Sequence, residues 1–356
     1  MTGTSTAEHS AMLHALDLAR QGVRGANPLV GAVILDSAQK VLSTGFHRGA
    51  TTPHAEADAL ANAAAHGVDV TGATMVVTLE PCNHTGRTGP CSQAIINAGV
   101  SRVVYAAADS TAEAAGGAEA LAAAGVEVDG GLMAAESAEL NHRWICAAAQ
   151  RRPFVTVKTA QSLDGMTAAQ DGTSQWITGS SARADGHAIR SRADAVLVGT
   201  GTVLADNPQL TARDTAGGAA TRQPLRVAVG RRPVPADAAI RGTDGRFLQL
   251  AEHDPADVCR QLYAHGVRHL MIEGGATLTG AFLRLGLADE LVAYLAPVLL
   301  GAGTPAFESL GVHTLADASL WRWDETDGGA ARFVGADLRL RLEPMPAATT
   351  LRTEQP

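Results

Sequence analysis

His54 and Glu56 stand two residues apart in the run Pro-His-Ala-Glu. A Pro81-Cys82 pair follows, and a second cysteine, Cys91, comes nine positions after the first. An imidazole and two thiols are donor types that zinc takes, and a hydrolytic zinc site needs three protein ligands and one open position for water. His54, Cys82 and Cys91 supply those three. Each cysteine precedes or opens an expected helix, where the positive helix end favours the thiolate. Zinc lowers the pKa of bound water to about 7. Glu56 is then the candidate shuttle for protons between that water and a leaving amine.

His-x-Glu with a Pro-Cys pair is the pattern of zinc-dependent base deaminases, but here eight residues, NHTGRTGP, separate the two cysteines instead of two. Taken singly, each of these residues has a plainer role: a His as a satisfied polar side chain, a Cys as a small hydrophobe. That plainer role is the expectation for Cys146 and Cys259. A structural zinc site with His84 as fourth ligand is a rival reading, and Glu56 beside the ligand histidine argues for chemistry. The inserted loop places His84 and Arg87 as candidate substrate contacts. His47 at a strand end and Asn27 in GANPLVG are candidates of the same kind.

The elements that must position these groups alternate. Residues 7–21 read as an amphipathic helix, 31–35 as an apolar strand and 41–47 as its hairpin partner. A helix is expected from Thr52 as N-cap with Pro53 in its first position. Residues 75–80 form a β-branched strand; Pro90 and Cys91 start a helix closed by Gly99. A strand at 101–107, an Ala-rich helix and a strand near 126–128 complete an α/β layer. CAAAQRRP (146–153) breaks the pattern and marks the domain boundary. Strands are then expected at 154–160, 194–199, 224–230, 246–251, 269–275, 290–301 and 332–344, with a frayed, disordered tail at 345–356.

The chain has 356 residues, enough for two domains, and a net charge of −8 with no long basic run, which argues against nucleic-acid binding. Four cysteines do not make a disulfide framework, and no apolar run reaches the roughly 20 residues of a membrane span. A cytoplasmic enzyme with no nucleic-acid or membrane partner is the expectation. In the second half, MIEGGATLTGAFL reads as strand, Gly-rich turn and helix, a place where backbone amides approach a phosphate. It is not the G-x-G-x-x-G fingerprint. Arg190 and Arg213 suit a phosphorylated ligand, since a guanidinium grips phosphate through two bonds, although any one Arg is more often a solvated charge.

PHAE with TLEPCNHTGRTGPC resembles the deaminase domain of the bifunctional riboflavin-biosynthesis deaminase-reductases. VKTAQSLDGMTAAQDGTSQWITG, LVGTGTVLADNPQLTAR and IEGGATLTGAFLRLGLADE with YLAPVLLG resemble their reductase domain. The resemblance runs from about residue 8 to 343. It implies a cytidine-deaminase-like three-layer α/β domain at 1–147 and a dihydrofolate-reductase-like domain at 153–344. It implies zinc-dependent removal of the 2-amino group of 2,5-diamino-6-ribosylamino-4(3H)-pyrimidinone 5′-phosphate, then NADPH-dependent reduction of the ribosyl side chain to ribityl. It also implies a homo-oligomer, dimer or tetramer. A reductase with a silent deaminase-like domain is the alternative.

By the same resemblance His54, Cys82 and Cys91 match the zinc ligands and Glu56 the proton shuttle. Asn27, His47, His84, Arg87 and Asp109 match the deaminase substrate pocket. Ala160, Trp176, Thr202 and Asp206 match positions along the NADPH site, as does the turn made of Gly275, Ala276, Thr277, Leu278, Thr279, Gly280 and Ala281. Ser174, Arg190, Leu210, Arg213 and Glu273 match substrate positions, and Lys158 a lysine beside the reacting ribose. Lys158 and Glu273 are the candidates for acid assistance at the opening sugar ring, and the sequence does not rank them. After Asp109 the chain departs from the family pattern: STAEAAGG replaces a P-N-P run and is about one residue shorter. Arg231 and Arg232 stand where the family often has Asp-Ser, which suits the 2′-phosphate of NADPH.

Overall fold

The computed structural model describes residues 4–22, 27–49, 52–83, 89–109, 116–325 and 329–345. The tail expected to fray lies, after Met345, outside the described residues, as do His84, Arg87 and residues 110–115. The chain divides into two units, Met1–Gln150 and Arg151–Pro356. Of residues 146–153, read from sequence as the boundary, 146–150 are the end of a helix, and the division falls after Gln150.

The first unit runs α1 (Thr6–Ala19), β1 (Gly31–Leu35), β2 (Val41–Phe46), α2 (Ala55–Ala65), β3 (Thr74–Leu79), α3 (Cys91–Asn97), β4 (Arg102–Ala107), α4 (Gly117–Ala123), β5 (Glu127–Gly130), α5 (Ala134–Leu140) and α6 (His142–Gln150). Its sheet has the order β2-β1-β3-β4-β5. β1 is antiparallel to both neighbours, while β3, β4 and β5 run parallel. β1 is buried along its whole length because it serves two cores. Ala32 and Ile34 pack with Ala55 and Ala59 of α2, Ile95 of α3 and Leu121 of α4, while Val33 and Leu35 pack with Met12 and Ala15 of α1. The alternation of side chains across a strand makes this a three-layer unit.

Two local features aim the residues of interest. Thr52 is not the cap of α2: its hydroxyl donates to the Gly49 carbonyl, and the helix starts at Ala55 with His54 as N-cap in extended conformation (φ −67°, ψ 162°). The helix therefore begins after the imidazole. Gly45 of β2 lies against α2 so closely that a Cβ there would sit 2.5 Å from the Ala55 carbonyl oxygen, and this contact brings His47 beside the start of the helix.

The second unit contains β6 (Phe154–Ser162), β7 (Met166–Ala169), α7 (Ser180–Arg192), β8 (Ala195–Gly199), α8 (Thr200–Asp206), β9 (Leu225–Val229), β10 (Phe247–Leu250), α9 (Pro255–Ala264), β11 (His269–Ile272), α10 (Ala276–Arg284), β12 (Glu290–Ala296), β13 (Gly303–Pro305), β14 (Trp321–Trp323), β15 (Ala331–Val334) and β16 (Asp337–Pro344). The main sheet has the order β10-β9-β8-β11-β6-β12-β16-β14, with β15 also on β16. Neighbours from β10 to β12 are parallel, and β16 closes the sheet antiparallel. The single strand expected at 332–344 is a hairpin, β15 and β16, turning at Gly335 with φ +67°. Val157, Leu197, Val227 and Ile272 face Leu262 of α9 and Phe282 of α10; Val196, Val198 and Met271 face Ile189 of α7 and Val203 of α8. Each such side chain contributes roughly 1.5–3 kcal/mol on burial, which fixes the strand ends that carry the polar residues.

Candidate active sites

In the first unit the donor atoms of His54, Cys82 and Cys91 lie within 4.8 Å of one another. Three elements bring them together: the turn before α2, the loop after β3, and the first residue of α3. His54 Nδ1 is 3.5 Å from Cys82 Sγ and 3.3 Å from Cys91 Sγ. The Cys91 amide, at the start of α3, donates to Cys82 Sγ at 3.5 Å. Cys82 is pulled down to about 4, first by a hydrogen bond from Cys91 and then, against burial, by His54. Cys91 is pushed up as the donor of that bond. One imidazole nitrogen and two sulfurs fit the borderline-soft zinc ion and its three-ligand hydrolytic sites.

Glu56 is buried in the first turn of α2, two residues past the ligand histidine. Burial pushes its carboxyl up to about 7, against the smaller opposing pull of its own backbone amide and of His54. A buried carboxyl of this kind both holds and releases a proton near neutrality.

His47 and Asn27 join this group. His47 Nδ1 bonds the Pro53 carbonyl at 2.9 Å, which only a protonated Nδ1 can do, so Nε2 accepts from Asn27 Nδ2 at 3.0 Å. Burial, with a smaller push from His54, lowers the His47 pKa and favours the neutral ring that these two bonds require. Its ring stands edge-on to that of His54, centroids 5.5 Å apart. Asp109 follows the end of β4, next to the strand that delivers Cys82. Among the cysteines read as plain hydrophobes, Cys259 is buried in the α9 core; Cys146 is half-buried, 3.7 Å from His142 Nδ1.

In the second unit a cavity of about 820 Å³ opens at the carboxyl ends of parallel strands. Lys158 is on β6, Thr202 and Asp206 follow β8 on α8, Arg231 and Arg232 follow β9, Glu252 follows β10 and Glu273 follows β11. The volume suits a dinucleotide-sized ligand, and this end of a parallel sheet is where such ligands bind. Ser174, Thr202, Asp206, Glu273, Gly275 to Leu278 and Ala281 all line it, as do Arg231 and Arg232. Gly275 is the N-cap of α10, and a Cβ there would project to 3.6 Å from the Thr202 hydroxyl, into the cradle. Thr279 and Gly280 turn the other way: Thr279 is buried, and Gly280 packs on the Glu308 backbone.

Glu273 joins the cavity to the cationic cluster. It is partly buried, its side chain 10% exposed, and takes two bonds from Arg190, Nε to Oε1 and Nη2 to Oε2 (2.9 Å), with Lys158 Nζ at 3.5 Å from Oε2. Burial alone would raise its pKa, but Arg190 and then Lys158 outweigh it and hold the carboxyl at about 2. Arg190 also donates to the Thr211 carbonyl at 3.0 Å. Arg213 is exposed, the Leu210 side chain is buried in the apolar core at φ +53°, and Ala160 packs at the edge of that core. Trp176 is 69% exposed, outside the cavity lining, with the Arg183 guanidinium 4.5 Å above its ring.

Several residues of these sites were not singled out from sequence. Tyr294, fully buried on β12, puts its ring 5.6 Å from Lys158 Nζ and donates to Asp185 at 2.6 Å. His187, three residues before Arg190 on α7, buries an Nδ1 that has no partner among the described residues. Glu252 lines the cavity beside Arg231. Their signal is tertiary: nothing in the spacing of Asp185, His187 and Tyr294 links them until α7 packs over β12.

Residues 5–107 match the model of the cytidine and deoxycytidylate deaminase zinc-binding region, and residues 153–326 match that of the RibD C-terminal domain. The riboflavin biosynthesis protein RibD of Mycobacterium tuberculosis is 44% identical over 323 residues, 90% of this chain and 92% of that one. The structure of Acinetobacter baumannii RibD superposes with a TM-score of 0.84 at 36% identity, covering 96% of this chain and 99% of its own. That of a Thermotoga maritima diaminohydroxyphosphoribosylaminopyrimidine deaminase/5-amino-6-(5-phosphoribosylamino)uracil reductase gives 0.81 at 30% identity, covering 95% and 99%.

Proposed function

The chain belongs to the RibD family, bifunctional deaminases and reductases of riboflavin biosynthesis, and from that premise we propose how its two units divide the work on one phosphorylated pyrimidine. The first unit hydrolyses the 2-amino group of 2,5-diamino-6-ribosylamino-4(3H)-pyrimidinone 5′-phosphate. The second reduces the ribosyl side chain of the product, with NADPH as hydride donor, to give 5-amino-6-(5-phospho-ribitylamino)uracil. The observation that carries this reading is the meeting of His54, Cys82 and Cys91 within 4.8 Å, with Glu56 buried two residues from His54.

Zinc on His54, Cys82 and Cys91 would supply the Lewis acidity that makes water a nucleophile near neutral pH. Glu56 takes the proton that this water loses and delivers it to the departing amine, the two halves of a hydrolytic exchange of N for O. Neutral His47, fixed at both ring nitrogens, and Asn27 form a rigid polar wall for the pyrimidine. Asp109, with His84 and Arg87, completes the set of substrate contacts in this reading.

In the second unit bound NADPH would supply the hydride for C1 of the ribosyl group. The α10 N-terminus, with Gly275 against Thr202, offers backbone amides for its pyrophosphate. Arg231 and Arg232 at the cavity wall suit its 2′-phosphate. Lys158 gives a proton to the sugar ring oxygen as the ring opens, and ionised Glu273 binds the sugar and holds Lys158 and Arg190 in place. Arg190 and Arg213 meet the substrate phosphate, with Ser174 and the Leu210 backbone beside them.

The test is a single-tube assay on zinc-loaded protein with the diaminopyrimidinone ribosyl phosphate. Ammonia release without NADPH, then NADPH consumption after its addition, is expected. NADPH oxidation only with the already deaminated compound, and no ammonia, would leave a reductase with a silent first unit.

A further inference from the structure

Glu80 is the residue that follows β3, one position before the Pro81-Cys82 pair. β4 runs parallel beside β3 with Leu79 opposite Ala107, and the Glu80 amide donates to the Ala107 carbonyl at 2.8 Å. Asp109 therefore leaves the sheet alongside the Glu80 side chain. The two carboxylate oxygens are used separately. Oε2 accepts from the Asp109 amide at 3.3 Å, and Oε1 accepts from the Ala118 amide, at the start of α4, at 3.1 Å. One side chain thus holds both ends of the stretch between β4 and α4.

A second, independent contact fastens the same stretch to the same place. Gly117 lies so near the ligand loop that a Cβ built on it falls 1.6 Å from the Pro81 carbonyl oxygen. A side chain at 117 forces the two backbones apart, so the sequence must keep glycine there for the stretch to rest against the residue preceding Cys82.

We propose that Glu80 is a positioning residue for deamination: its carboxylate ties Asp109 and the head of α4 to the loop that carries Cys82, and so fixes Asp109 relative to the zinc ligands. This rests on the reading of Asp109 as a substrate contact. It also gives a physical reason why the stretch after Asp109 can differ in length from the family pattern. Both ends are held by groups outside it, so residues can be lost between them without moving Asp109.

Glu80→Gln keeps the shape but leaves one carbonyl oxygen for two backbone N–H groups, with its own amide NH2 facing one of them. Loss of one charge-assisted bond to the segment should raise the deaminase KM about tenfold or more. The deaminase kcat should stay within about threefold, because the acid–base and metal groups are untouched. Zinc content, and the reductase constants measured with the already deaminated substrate, should not change. In an Asp109→Ala background, Glu80→Gln should add less than about twofold, since the residue it positions is gone. Zinc loss, a fall in kcat at unchanged KM, an unchanged KM, or fully multiplicative effects of the two substitutions would each overturn the proposal. If Asp109→Ala alone leaves the deaminase KM unchanged, the reading of Asp109 fails with it. If Asp109→Ala raises KM and Glu80→Gln does not, the inference about Glu80 fails alone.

Discussion

Glu273→Gln is the sharpest perturbation of the second unit. Glu273 is an anion left only 10% exposed between two cations, with two bonds from Arg190 and Lys158 at 3.5 Å. The substitution keeps the volume and removes the charge, leaving Arg190 and Lys158 facing each other without an anion. Breaking a buried pair from one side costs about 3–5 kcal/mol. Linkage gives the same size independently. The carboxyl is held at about 2 against an ordinary value of 4.5, which corresponds to about 3 kcal/mol of stability at neutral pH. The sign is that of a depressed acid: the stabilisation is complete above the unfolded value of 4.5 and is lost as pH falls toward 2. The wild-type advantage over Glu273→Gln should therefore be about 3 kcal/mol at pH 7, nearly the same at pH 5.5, and about 2 kcal/mol at pH 3.5. Hydrogen exchange read by mass spectrometry on the slowest amides of β6 and β11 reports the opening of this unit. Equal protection of the two proteins at pH 7, or an advantage that grows as the pH is lowered, would refute the electrostatic account of the cluster. Reductase activity of the variant should fall together with Arg190 and Lys158 alignment, while deamination in the first unit is unchanged.

The other expectations concern the metal, the acid–base group and the dinucleotide. Glu56→Gln should lower deaminase kcat by about 10²–10⁴ with zinc still bound, measured as ammonia release alongside metal content; normal turnover would remove Glu56 from the chemistry. Chelation should abolish ammonia release and leave NADPH oxidation with deaminated substrate intact, and added zinc should restore the first activity; parallel loss of both would contradict independent sites. Arg231→Ala should raise KM for NADPH about tenfold or more with little change for NADH, since only the former carries the 2′-phosphate. Equal effects on the two cofactors would place Arg231 elsewhere.

Much of the framework was readable because it is local. GAVIL is apolar at every position, which is what a strand serving two cores requires, and β1 serves two. Proline before Cys91 and glycine after Ala98 bracket α3 as expected. What sequence misplaced were ends and pairings. Thr52 has the chemistry of an N-cap, but the start of α2 follows the geometry of His54, whose extended backbone turns the ring toward the two sulfurs. The stretch 332–344 alternates well enough for one long strand, yet Gly335 in the left-handed region folds it into a hairpin. Trp176 and Leu210 stand among the ligand contacts by resemblance alone; the Trp176 indole is exposed beside Arg183 and the Leu210 side chain lies in the core, so neither role is read from local geometry.

The two glutamates show why the chemistry of a site is less legible than its membership. Glu56 and Glu273 are the same residue type, one buried and one largely so, each next to a motif that marks it. Burial acts on both in the same direction, against the charged form. Around Glu56 the described residues set only its own backbone amide, His54 and Cys91 against burial, and the carboxyl rises to about 7, the range in which a proton can be taken up and given back. Around Glu273 Arg190 and Lys158 reverse the sign, and the carboxyl stays charged at every working pH. Arg190 comes from α7 and Lys158 from β6, separated from Glu273 by 83 and 115 residues. No window of sequence holds the three together. The shuttle and the permanent anion are therefore distinguished by packing, and it follows that exchanging their neighbours, more than exchanging the glutamates themselves, is what would interchange their roles.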